Sequence, residues 1–323
     1  MVKVRWRNIY GSAVEIIAGV DEAGRGPLAG PVTAAAVILP DDHIITGLTD
    51  SKKLSPKRRE KLFDDIKKNA ISIGVGIVNA NEIDKINILQ ATYKAMYKAL
   101  STLNPKPDKA LIDGYALPNQ IIPNEGIIKG DDKVDCIRAA SIIAKVTRDR
   151  IMEQYDIIFP EYGFAKHKGY GTKVHLEKLQ KKKASLIHRK SFRPVRKNLP
   201  TITWLQKNRK IGQWGEKLAA LEYYKKGYKI HALNHHCAPY GEIDIVAEKD
   251  NEIVFAEVKT AAGKTLGGIE DQVDEVKLQR LSDAIDKYIM DYEIDQDIRL
   301  DVFAIRLGNN GPKLKHFKAI ELE

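Results

Sequence analysis

The chain has 323 residues, 43% of them hydrophobic, which is enough for two ordinary domains that each bury a core. Its formal net charge of +10 favours a polyanionic partner, although a solvated basic surface would give the same total. Two distant cysteines give neither a disulfide framework nor a zinc-site spacing, and no apolar run approaches the ~18 to 20 residues of a membrane span, so we expect a cytoplasmic protein.

The positive charge is concentrated in the middle of the chain. Between Lys166 and Lys210 there are fifteen Lys and Arg residues and one acid, Glu177. From Ile211 to the end there are fifteen basic and twenty-one acidic residues. Attraction to a polyanion is therefore expected of the middle segment and less of the C-terminal one.

The first half alternates strand-like and helix-like patterns, which predicts an α/β fold. β-branched runs mark the strands, and Ser55 followed by Pro56 marks the start of a helix. The predicted elements are strands at 16–20 and 32–39, a helix at 56–69, a strand at 71–78, a helix at 81–103, short strands at 110–112 and 126–129, and a long helix from Asp131.

A domain boundary is predicted where the lysine-rich stretch meets Pro194 and Pro200. We therefore predict a first domain at 1–197, a linker at 198–210 and a second α/β domain at 211–323. In the second domain the patterns predict a helix at 213–226, strands at 242–248 and 252–259, a helix at 273–290 and a strand at 299–305.

The stretch GVDEAGRGPLAG, residues 19–30, allows two interpretations. Gly24-x-Gly26-x-x-Ala29 formally fits a dinucleotide fingerprint, but that fingerprint requires a helix directly after the glycines. Here PVTAAAVILP follows, which begins at Pro31 and has the pattern of a second hairpin strand. The nucleotide interpretation is therefore weak.

The alternative is that the acids carry the chemistry. Predicted strands end in Asp21-Glu22 and in Asp113, and a predicted helix starts at Asp131, so four carboxylates can meet at one end of a sheet. Mg²⁺ prefers such oxygen ligands, and two ions can clamp the attacking and leaving oxygens of a phosphodiester. Taken singly, each acid has a structural explanation, since Asp113-Gly114 is a common turn pair and Asp131 is a good helix N-cap.

A family resemblance then extends over roughly residues 12–197. The chain resembles bacterial ribonuclease HII in a series of ordered blocks: GVDEAGRGPLAGPV, DSKKLS, VGIVNANEID with NILQAT, LIDG, KGDDKVDCIRAASIIAKVTRDR, FPEYGFAKHKGYGT and HRKSFRPV. The resemblance implies a ribonuclease H-like fold with a C-terminal helical segment. It also implies endonucleolytic cleavage of the RNA strand of RNA/DNA hybrids and of single ribonucleotides in DNA, leaving 3′-hydroxyl and 5′-phosphate ends.

The resemblance also implies roles for individual residues. Two divalent ions, Mg²⁺ or Mn²⁺, would activate water and stabilise the departing 3′-oxygen. The Gly-Arg-Gly of the loop would contact the ribonucleotide 2′-hydroxyl largely through backbone groups, and Tyr170 would pack near the RNA-to-DNA junction. The implied metal-binding acids are Asp21, Glu22, Asp113 and Asp131, and the implied 2′-hydroxyl contacts are Gly24, Arg25 and Gly26.

Four basic residues are candidate phosphate contacts, because charge-assisted contacts position a duplex without reading its sequence. They are Lys52, Lys53, Lys145 and Arg148. For each, a solvated surface side chain is an equally good explanation. His167, His175 and His188 lack metal-ligand spacing and are expected to be structural.

The second domain carries GEIDIVAEKDNEIVFAEVK at 241–259. Adjacent strands would place Asp244 beside Glu257, with Lys259 on the face of Glu257 because strand side chains alternate. Two acids and a lysine are typical of restriction-endonuclease-like enzymes, although the bare pattern is common. The wider stretch at 208–307 resembles the YraN-like family, which implies that Glu216 joins Asp244, Glu257 and Lys259.

The sequence thus predicts a metal-dependent ribonuclease fused to a domain that is either a second nuclease or a docking module. The alternative is a non-catalytic nucleic-acid-binding protein with a degenerate nuclease site, in which the basic middle segment binds. No membrane partner is expected. The sequence does not choose between Mg²⁺ and Mn²⁺ and does not give the oligomeric state.

Overall fold

The computed structural model describes residues 15–119, 121–262, 275–308 and 311–320. Two compact units are present. Within the described ranges, the first unit comprises residues 15–152, His167–Val174 and Ile187–Lys197, and the second comprises Glu153–Lys166, His175–Leu186 and the residues from Asn198 onward. Each unit is described by itself.

The first unit contains a five-stranded sheet and three long helices. Its strands are β1 Ile17–Ala23, β2 Val32–Ile38, β3 Ser72–Val78, β4 Lys109–Asp113 and β5 Asn124–Ile127. Its long helices are α1 Pro56–Asn69, α2 Ala80–Ser101 and α3 Asp135–Ile158, of which residues 153–158 group with the second unit. The helices that follow are the short turns α4 Phe164–His167 and α6 Arg193–Arg196 and the ten-residue helix α5 Lys173–Lys182, and they are divided between the two units.

The sheet has the order β3-β2-β1-β4-β5. β1 pairs antiparallel with β2, which confirms the predicted hairpin, and parallel with β4 on its other side. β4 in turn pairs parallel with β5. The carboxyl ends of β1, β4 and β5 therefore lie at the same edge of the sheet.

Both faces of this sheet are buried, as the continuous apolar sequence of β2 predicts. Ala34 and Ala36 of β2 belong to the core formed with α2, whereas Ala35 and Val37 belong to the core formed with α1 and α3. The unit is thus a three-layer α/β/α arrangement, and the predicted α/β class is confirmed.

The helix predicted at 56–69 is confirmed, because α1 spans Pro56–Asn69. Its N-cap is Ser55, whose side chain accepts a hydrogen bond from the N–H of Arg58 at 3.4 Å. Pro56 fits the first helical position, where no intrahelical N–H bond is lost.

The helix predicted to begin at Asp131 begins instead at Asp135. Asp131 lies in a separate 3₁₀ turn, Gly130–Asp132, so it is not the N-cap of the long helix. The turn follows Lys129, which is left-handed at φ 55°, and the N–H of Gly130 donates to Asp113 Oδ1 at 2.7 Å. This tertiary hydrogen bond stabilises the turn.

The second unit is also α/β. Its sheet has the order β10-β9-β8-β7-β6, with β8 and β9 parallel and the other pairs antiparallel. The strands are β6 Lys229–Cys237, β7 Gly241–Lys249, β8 Glu252–Ala262, β9 Asp297–Leu307 and β10 Lys313–Phe317, and the helices are α7 Ile202–Lys207, α8 Ile211–Lys225 and α9 Glu275–Tyr292.

Helices α8 and α9 both pack on this sheet. α9 contributes Leu281, Ile285 and Tyr288 to a core with Phe255 of β8. α8 approaches β8 so closely at Gly215 that a β-carbon there would lie 1.7 Å from the Thr260 hydroxyl oxygen. The pattern at 242–259 thus produced adjacent strands, as predicted, whereas β6 and β10 were not predicted.

Residues 198–210, predicted as a linker, contain the helix Ile202–Lys207. Residues 153–166 and 175–186 group with the C-terminal residues, although they precede the predicted boundary. The domain limits drawn from the sequence therefore stay a prediction. None of the helices in the described part of the chain has the length and apolar character that a bilayer crossing requires.

The substitution Gly19→Ala tests how β1 is seated against α3. A β-carbon at Gly19 would lie 2.2 Å from the carbonyl carbon of Cys136, a main-chain atom that cannot rotate away. We expect the substitution to lower the free energy of unfolding by about 1–3 kcal/mol, as overpacking does. Urea denaturation measures this, with Gly212→Ala as the control, since a β-carbon there meets only the Glu216 side chain at 3.5 Å. Equal unfolding midpoints for Gly19→Ala and wild type would contradict this packing.

Candidate active site

Two aspartates lie side by side at the carboxyl edge of the first sheet. Val20 of β1 is in register with Ile112 of β4, and the two strands are parallel. Asp21 and Asp113 are the next residues along each strand. The pairing of the strands therefore brings together two carboxylates that are 92 positions apart in sequence.

Asp131 completes an acidic triad with these two residues. One carboxylate oxygen each of Asp21, Asp113 and Asp131 lies within 4.8 Å of the other two. The 3₁₀ turn that carries Asp131 is hydrogen-bonded to Asp113 through Gly130, so the third acid is fixed relative to the second. Three of the four predicted acids thus converge.

The triad concentrates negative charge in a place with little water. Asp21 is 5% exposed and Asp131 is 8% exposed. Burial, followed by the charges of Glu22 and Asp113, raises the pKa of Asp21 well above its usual value. Burial and then the charge of Asp113 raise the pKa of Asp131. A cation at this position would relieve the repulsion.

Glu22 is close to the triad but differs from it in its contacts. Arg25 Nη1 lies 3.4 Å from Glu22 Oε1. Burial raises the pKa of Glu22, and the Arg25 guanidinium opposes that shift. Glu22 therefore links the acidic triad to the Gly-Arg-Gly loop.

Two buried serines support Asp21 and were not predicted. Ser141 of α3 makes a side-chain hydrogen bond to Asp21, which lowers the pKa of that carboxyl and opposes the effect of burial. Ser51 and Ser141 share a hydroxyl–hydroxyl hydrogen bond of 2.9 Å. A sequence signal for Ser141 existed: it is a polar residue at helical spacing from Ile137 and Ala144, on the apolar face of the predicted helix.

A cavity of about 280 Å³ opens beside the acids. Tyr170 is 45% exposed at its wall, and a β-carbon on Gly26 would meet Tyr170 Cε1 at 3.6 Å. Gly24 has no room for a side chain, because a β-carbon there would lie 2.1 Å from Arg148 Nε, and its φ of +98° is one that residues with side chains rarely adopt. The cavity is lined by Glu22, Ala23, Gly24, Arg25, Gly26, Ser51, Lys52, Ser141, Lys145, Arg148 and Tyr170.

The three predicted lysines all lie near acids of the first unit. The Lys52 side chain is 79% exposed, with its Nζ 3.9 Å from Asp131 Oδ2. Partial burial would lower the pKa of Lys52, but the nearby carboxylates of Asp50, Asp21 and Asp131 raise it. Lys53 pairs with Asp132, and Lys145 lies 2.7 Å from Asp149.

Arg148 requires a correction. Its side chain is 1% exposed, and it donates from Nε to the Pro31 carbonyl at 3.0 Å and from Nη2 to the Ala29 carbonyl at 3.2 Å. The guanidinium therefore supports the main chain that follows the glycine loop instead of presenting a surface charge to phosphate. Arg189, which the sequence did not single out, has a related position: it is 0% exposed and donates to carbonyls of the same loop.

Of the three histidines expected to be structural, His175 and His188 are fully buried and His167 is half-buried. His175 packs edge-to-face against Tyr162 and Phe164. The acidic triad is the sole metal-type cluster of three found among the described residues, and it contains no histidine.

In the second unit, the predicted residues lie on β7, β8 and α8. The N–H of Val258 donates to Asp244 Oδ2 at 2.7 Å, and Lys259 Nζ lies 2.6 Å from Glu257 Oε1. The strand pattern thus places Asp244 next to Glu257 and its lysine, as predicted. Glu216 Oε2 accepts a hydrogen bond from Asn234 Nδ2 at 2.9 Å.

The acids of the second unit are less concentrated than those of the first. Burial raises the pKa of Glu216, and the charges of Glu242 and Glu257 add to that shift. Within the described residues, however, Glu216, Asp244 and Glu257 do not form a three-ligand group of the kind seen at Asp21. Lys259 already balances one of the carboxylates.

Comparison with protein families identifies both parts of the chain. The family model for ribonuclease HII matches residues 18–195, which is more than half of the chain. The chain belongs to the ribonuclease HII family. A second model, that of the uncharacterised protein family UPF0102, matches residues 215–305, which confirms the predicted YraN-like domain.

Individual relatives agree with this membership. The ribonuclease HII of Geobacillus thermodenitrificans (strain NG80-2) is 53% identical over 193 residues, covering 60% of this chain and 74% of the relative. That of Coxiella burnetii (strain Dugway 5J108-111) is 54% identical over 181 residues, covering 56% of this chain and 90% of the relative. Among solved structures, ribonuclease H2 from Pyrococcus horikoshii OT3 has a TM-score of 0.49 at 30% identity, covering 56% of this chain and 95% of that one.

Ribonuclease HII membership confirms the predicted ribonuclease H-like fold and the enzyme class, a hydrolase of the ribonuclease H type. It supports cleavage of the RNA strand of RNA/DNA hybrids. Together with the acidic triad, it supports dependence on a divalent metal. The alternative of a non-catalytic binding protein is therefore not favoured.

The substitution Asp21→Asn tests the cost of burying a carboxylate charge beside other acids. Because the folded-state pKa of Asp21 is raised, its ionised form destabilises the fold, and this penalty grows as pH rises from the unfolded-state pKa through the folded-state one. At pH 7 without divalent ions, we expect Asp21→Asn to be more stable than wild type; a gain of about 1 kcal/mol would raise the melting temperature by roughly 2–4 °C.

Mn²⁺ or Mg²⁺ should reverse this order. The ions should raise the melting temperature of wild type more than that of Asp21→Asn, since wild type has one more carboxylate ligand. Calorimetric scans in EDTA and with added metal measure both differences. Asp42→Asn, at an exposed loop position, is the control. It should have the melting temperature of wild type both in EDTA and with added metal. A wild type whose melting temperature ignores divalent ions would contradict a metal site at the triad.

Proposed function

We propose that this chain hydrolyses phosphodiesters at ribonucleotides by a two-metal mechanism, leaving 3′-hydroxyl and 5′-phosphate ends. The substrates are the RNA strand of RNA/DNA hybrids and single ribonucleotides embedded in DNA. The observation that carries the proposal is the convergence of Asp21, Asp113 and Asp131 beside a cavity lined by the Gly-Arg-Gly loop.

The donor set fits Mg²⁺ or Mn²⁺. Carboxylate oxygens are the ligands these ions prefer. Burial, and then the charges of neighbouring carboxylates, raise the pKa of Asp21 and of Asp131, and a bound cation would offset both effects. Asp21, Asp113 and Asp131 would hold the ions, with Glu22 next to them. When bound, the ions would supply Lewis acidity for the attack of water on phosphorus and for the departure of the 3′-oxygen.

The remaining residues of the cavity would orient the substrate. Gly24 and Gly26 let the backbone approach a ribose closely, and the 2′-hydroxyl is the group that distinguishes RNA from DNA at a single position. Tyr170 would pack against a sugar or base; its Cε1 is 3.6 Å from where a β-carbon on Gly26 would lie. Lys52, Lys53 and Lys145 would neutralise backbone phosphates and so fix the register of the duplex.

A cleavage assay tests this proposal. The substrates are a DNA duplex with one ribonucleotide, an RNA/DNA hybrid and an all-DNA duplex of the same sequence. We expect wild type with Mg²⁺ or Mn²⁺ to cut the first two and spare the third. Asp21→Asn or Asp131→Asn should reduce cutting by at least about a hundredfold, because each removes a ligand for ions that contribute several kcal/mol.

Asp42→Asn serves as the control and should cut like wild type. Extension of the product by a DNA polymerase reports the 3′-hydroxyl, and ligation reports the 5′-phosphate. Binding of the ribonucleotide duplex by wild type without cleavage would refute the proposal and favour the non-catalytic alternative.

A second candidate function concerns the C-terminal domain. We propose that it is a second metal-dependent nuclease, with Asp244 and Glu257 as acids, Lys259 as the cation that offsets charge or activates water, and Glu216 as an additional acid. The supporting observation is the adjacency of Asp244, Glu257 and Lys259 on neighbouring strands. The competing role is a docking module, which the acid excess of this domain favours over independent duplex binding.

This second activity is tested in the full chain with the first site inactivated. We expect Asp21→Asn to retain slow, metal-dependent cutting of single-stranded or branched DNA, and the double variant Asp21→Asn/Lys259→Ala to lose it. Asp21→Asn/Lys313→Ala is the control, since Lys313 is exposed on β10. If no substrate is cut by Asp21→Asn with either metal, the docking role is supported instead.

A further inference from the structure

Arg189 lies beneath the glycine loop and is fully buried. Its Nη2 donates to the Gly24 carbonyl at 2.5 Å and its Nη1 to the Arg25 carbonyl at 2.8 Å. Further hydrogen bonds from the same guanidinium reach the carbonyls of Gly30 at 3.0 Å and Pro31 at 3.1 Å. One side chain therefore fixes four carbonyl groups at both ends of the loop.

These contacts determine where the N–H groups of the loop point. The described cis peptide bonds lie elsewhere, at Asn104-Pro105 and Ala238-Pro239, so the peptides that follow Gly24 and Arg25 are trans. In a trans peptide, the C=O of one residue and the N–H of the next point in opposite directions. With the carbonyls of Gly24 and Arg25 held by Arg189, the N–H groups of Arg25 and Gly26 point away from it.

That direction leads into the cavity beside the acids. Gly24, Arg25 and Gly26 line the cavity, and Arg189 is not among its lining residues. No acceptor within the described residues takes the N–H of Arg25 or of Gly26. Two adjacent backbone donors are thus available to a ligand on the side opposite Arg189.

The electrostatics of the loop strengthen these donors. Hydrogen bonds from a charged guanidinium are stronger than neutral ones, and a carbonyl that accepts one polarises the N–H of the same peptide. Burial, together with the charge of Arg148, lowers the pKa of Arg189 to about 9, so the group remains charged at neutral pH. The positive charge therefore stays behind the loop.

The segment that carries Arg189 is itself anchored. Asp84 on α2 accepts hydrogen bonds from the N–H of Lys190 at 2.9 Å and from the N–H and hydroxyl of Ser191 at 2.8 and 2.6 Å. The N–H of Arg189 donates to the Leu28 carbonyl at 2.8 Å. These contacts hold the guanidinium at a fixed position under the loop.

We propose that Arg189 is a positioning residue for ribonucleotide recognition: by holding the carbonyls of Gly24 and Arg25, it presents the N–H groups of Arg25 and Gly26 to the 2′-hydroxyl in the cleft. This inference rests on the proposed function, because it assigns a cause to the backbone geometry that reads the ribose. Arg189 itself does not touch the substrate.

Duplex binding tests the proposal, with Asp21→Asn as the parent so that the substrate is not cut. Affinity is measured in Mg²⁺ for a DNA duplex with one ribonucleotide and for the same duplex without it. We expect the parent to prefer the ribonucleotide duplex, and Arg189→Lys to reduce that preference roughly tenfold, as loss of one or two hydrogen bonds would. Affinity for the all-DNA duplex should stay nearly constant.

Arg299→Lys in the same parent is the control. The Arg299 side chain is 16% exposed, donates to Asp301 Oδ1 at 2.9 Å and to the Tyr228 hydroxyl at 3.0 Å, and does not line the cavity. Arg299→Lys should lower the melting temperature and keep the ribonucleotide preference. Equal loss of preference in both variants would show a general structural effect and overturn the specific role of Arg189.

The remaining outcomes separate this inference from the proposed function. If the Asp21→Asn parent shows no preference for the ribonucleotide duplex, the proposed recognition of the ribonucleotide is refuted, and the role of Arg189 is refuted with it. A parent whose preference survives in Arg189→Lys would overturn the role of Arg189 alone.

If Arg189→Lys does not fold, the proposal can still be tested by a measurement that leaves Arg189 unchanged. In the Asp21→Asn chain labelled with ¹⁵N-arginine and ¹⁵N-glycine, the N–H resonances of Arg25 and Gly26 should shift with the ribonucleotide duplex and not with the all-DNA duplex. Equal shifts with both duplexes would overturn the proposal.

Discussion

The close approach of three carboxylates, two of them buried, is the constraint on which the first unit depends. One carboxylate oxygen each of Asp21, Asp113 and Asp131 lies within 4.8 Å of the other two. Asp21 and Asp131 are buried and Asp113 is half-buried, so solvent screens their charges poorly. An isolated acid would move away from such neighbours. The fold prevents this, because parallel β1 and β4 fix the first two and a hydrogen bond from Gly130 to Asp113 fixes the turn that carries the third.

The surrounding core is built to hold these positions. β2 is alanine-rich and buried on both faces, so helices pack closely against either side of the sheet. Gly19 lets the start of α3 touch β1 two residues before Asp21, and Ser141 of the same helix hydrogen-bonds to Asp21. The stability of this core is what compensates for the repulsion among the acids.

Positive charge is arranged in a complementary way behind the glycine loop. Arg148 and Arg189 are buried cations whose charge is directed at main-chain carbonyls and whose pKa burial lowers. The cleft thus has carboxylates on one side and backbone donors, backed by guanidinium groups, on the other. A divalent ion and a ribose hydroxyl are complementary to these two sides.

The second unit also has neighbouring acids on its sheet, but their negative charge is better compensated than that of the triad. Lys259 balances Glu257 directly, and Asp244 accepts a backbone N–H from β8, so these acids are compensated within the protein. The most strongly buried acid of this unit, Asp301, is surrounded by donors from Tyr223, Arg299 and His316, which is a structural network. The site proposed for this unit therefore has less uncompensated charge than the acidic triad of the first unit.

Local sequence patterns were sufficient to predict those features of the structure that neighbouring residues determine. The apolar runs of β1 and β2, the Ser55 cap of α1 and the alternation that places Lys259 on the face of Glu257 all follow from neighbouring residues. The sequence blocks around Asp21, Asp113 and Asp131 were sufficient to identify the family. The start of α3 was misplaced, because a tertiary hydrogen bond to Asp113 determines the turn at Asp131.

Only the tertiary structure decided which basic residues are surface charges and which are supports. Lys52 and Arg148 look alike in sequence, as cations in family-like blocks, yet one is exposed and the other is buried under a loop more than a hundred residues away. Arg189 lies in the family-like block HRKSFRPV, but no local pattern distinguishes it from the other cations there. The sequence by itself determined the chemical groups of the site, whereas burial, charge balance and the direction of each backbone N–H depend on contacts between distant segments, which no local pattern contains.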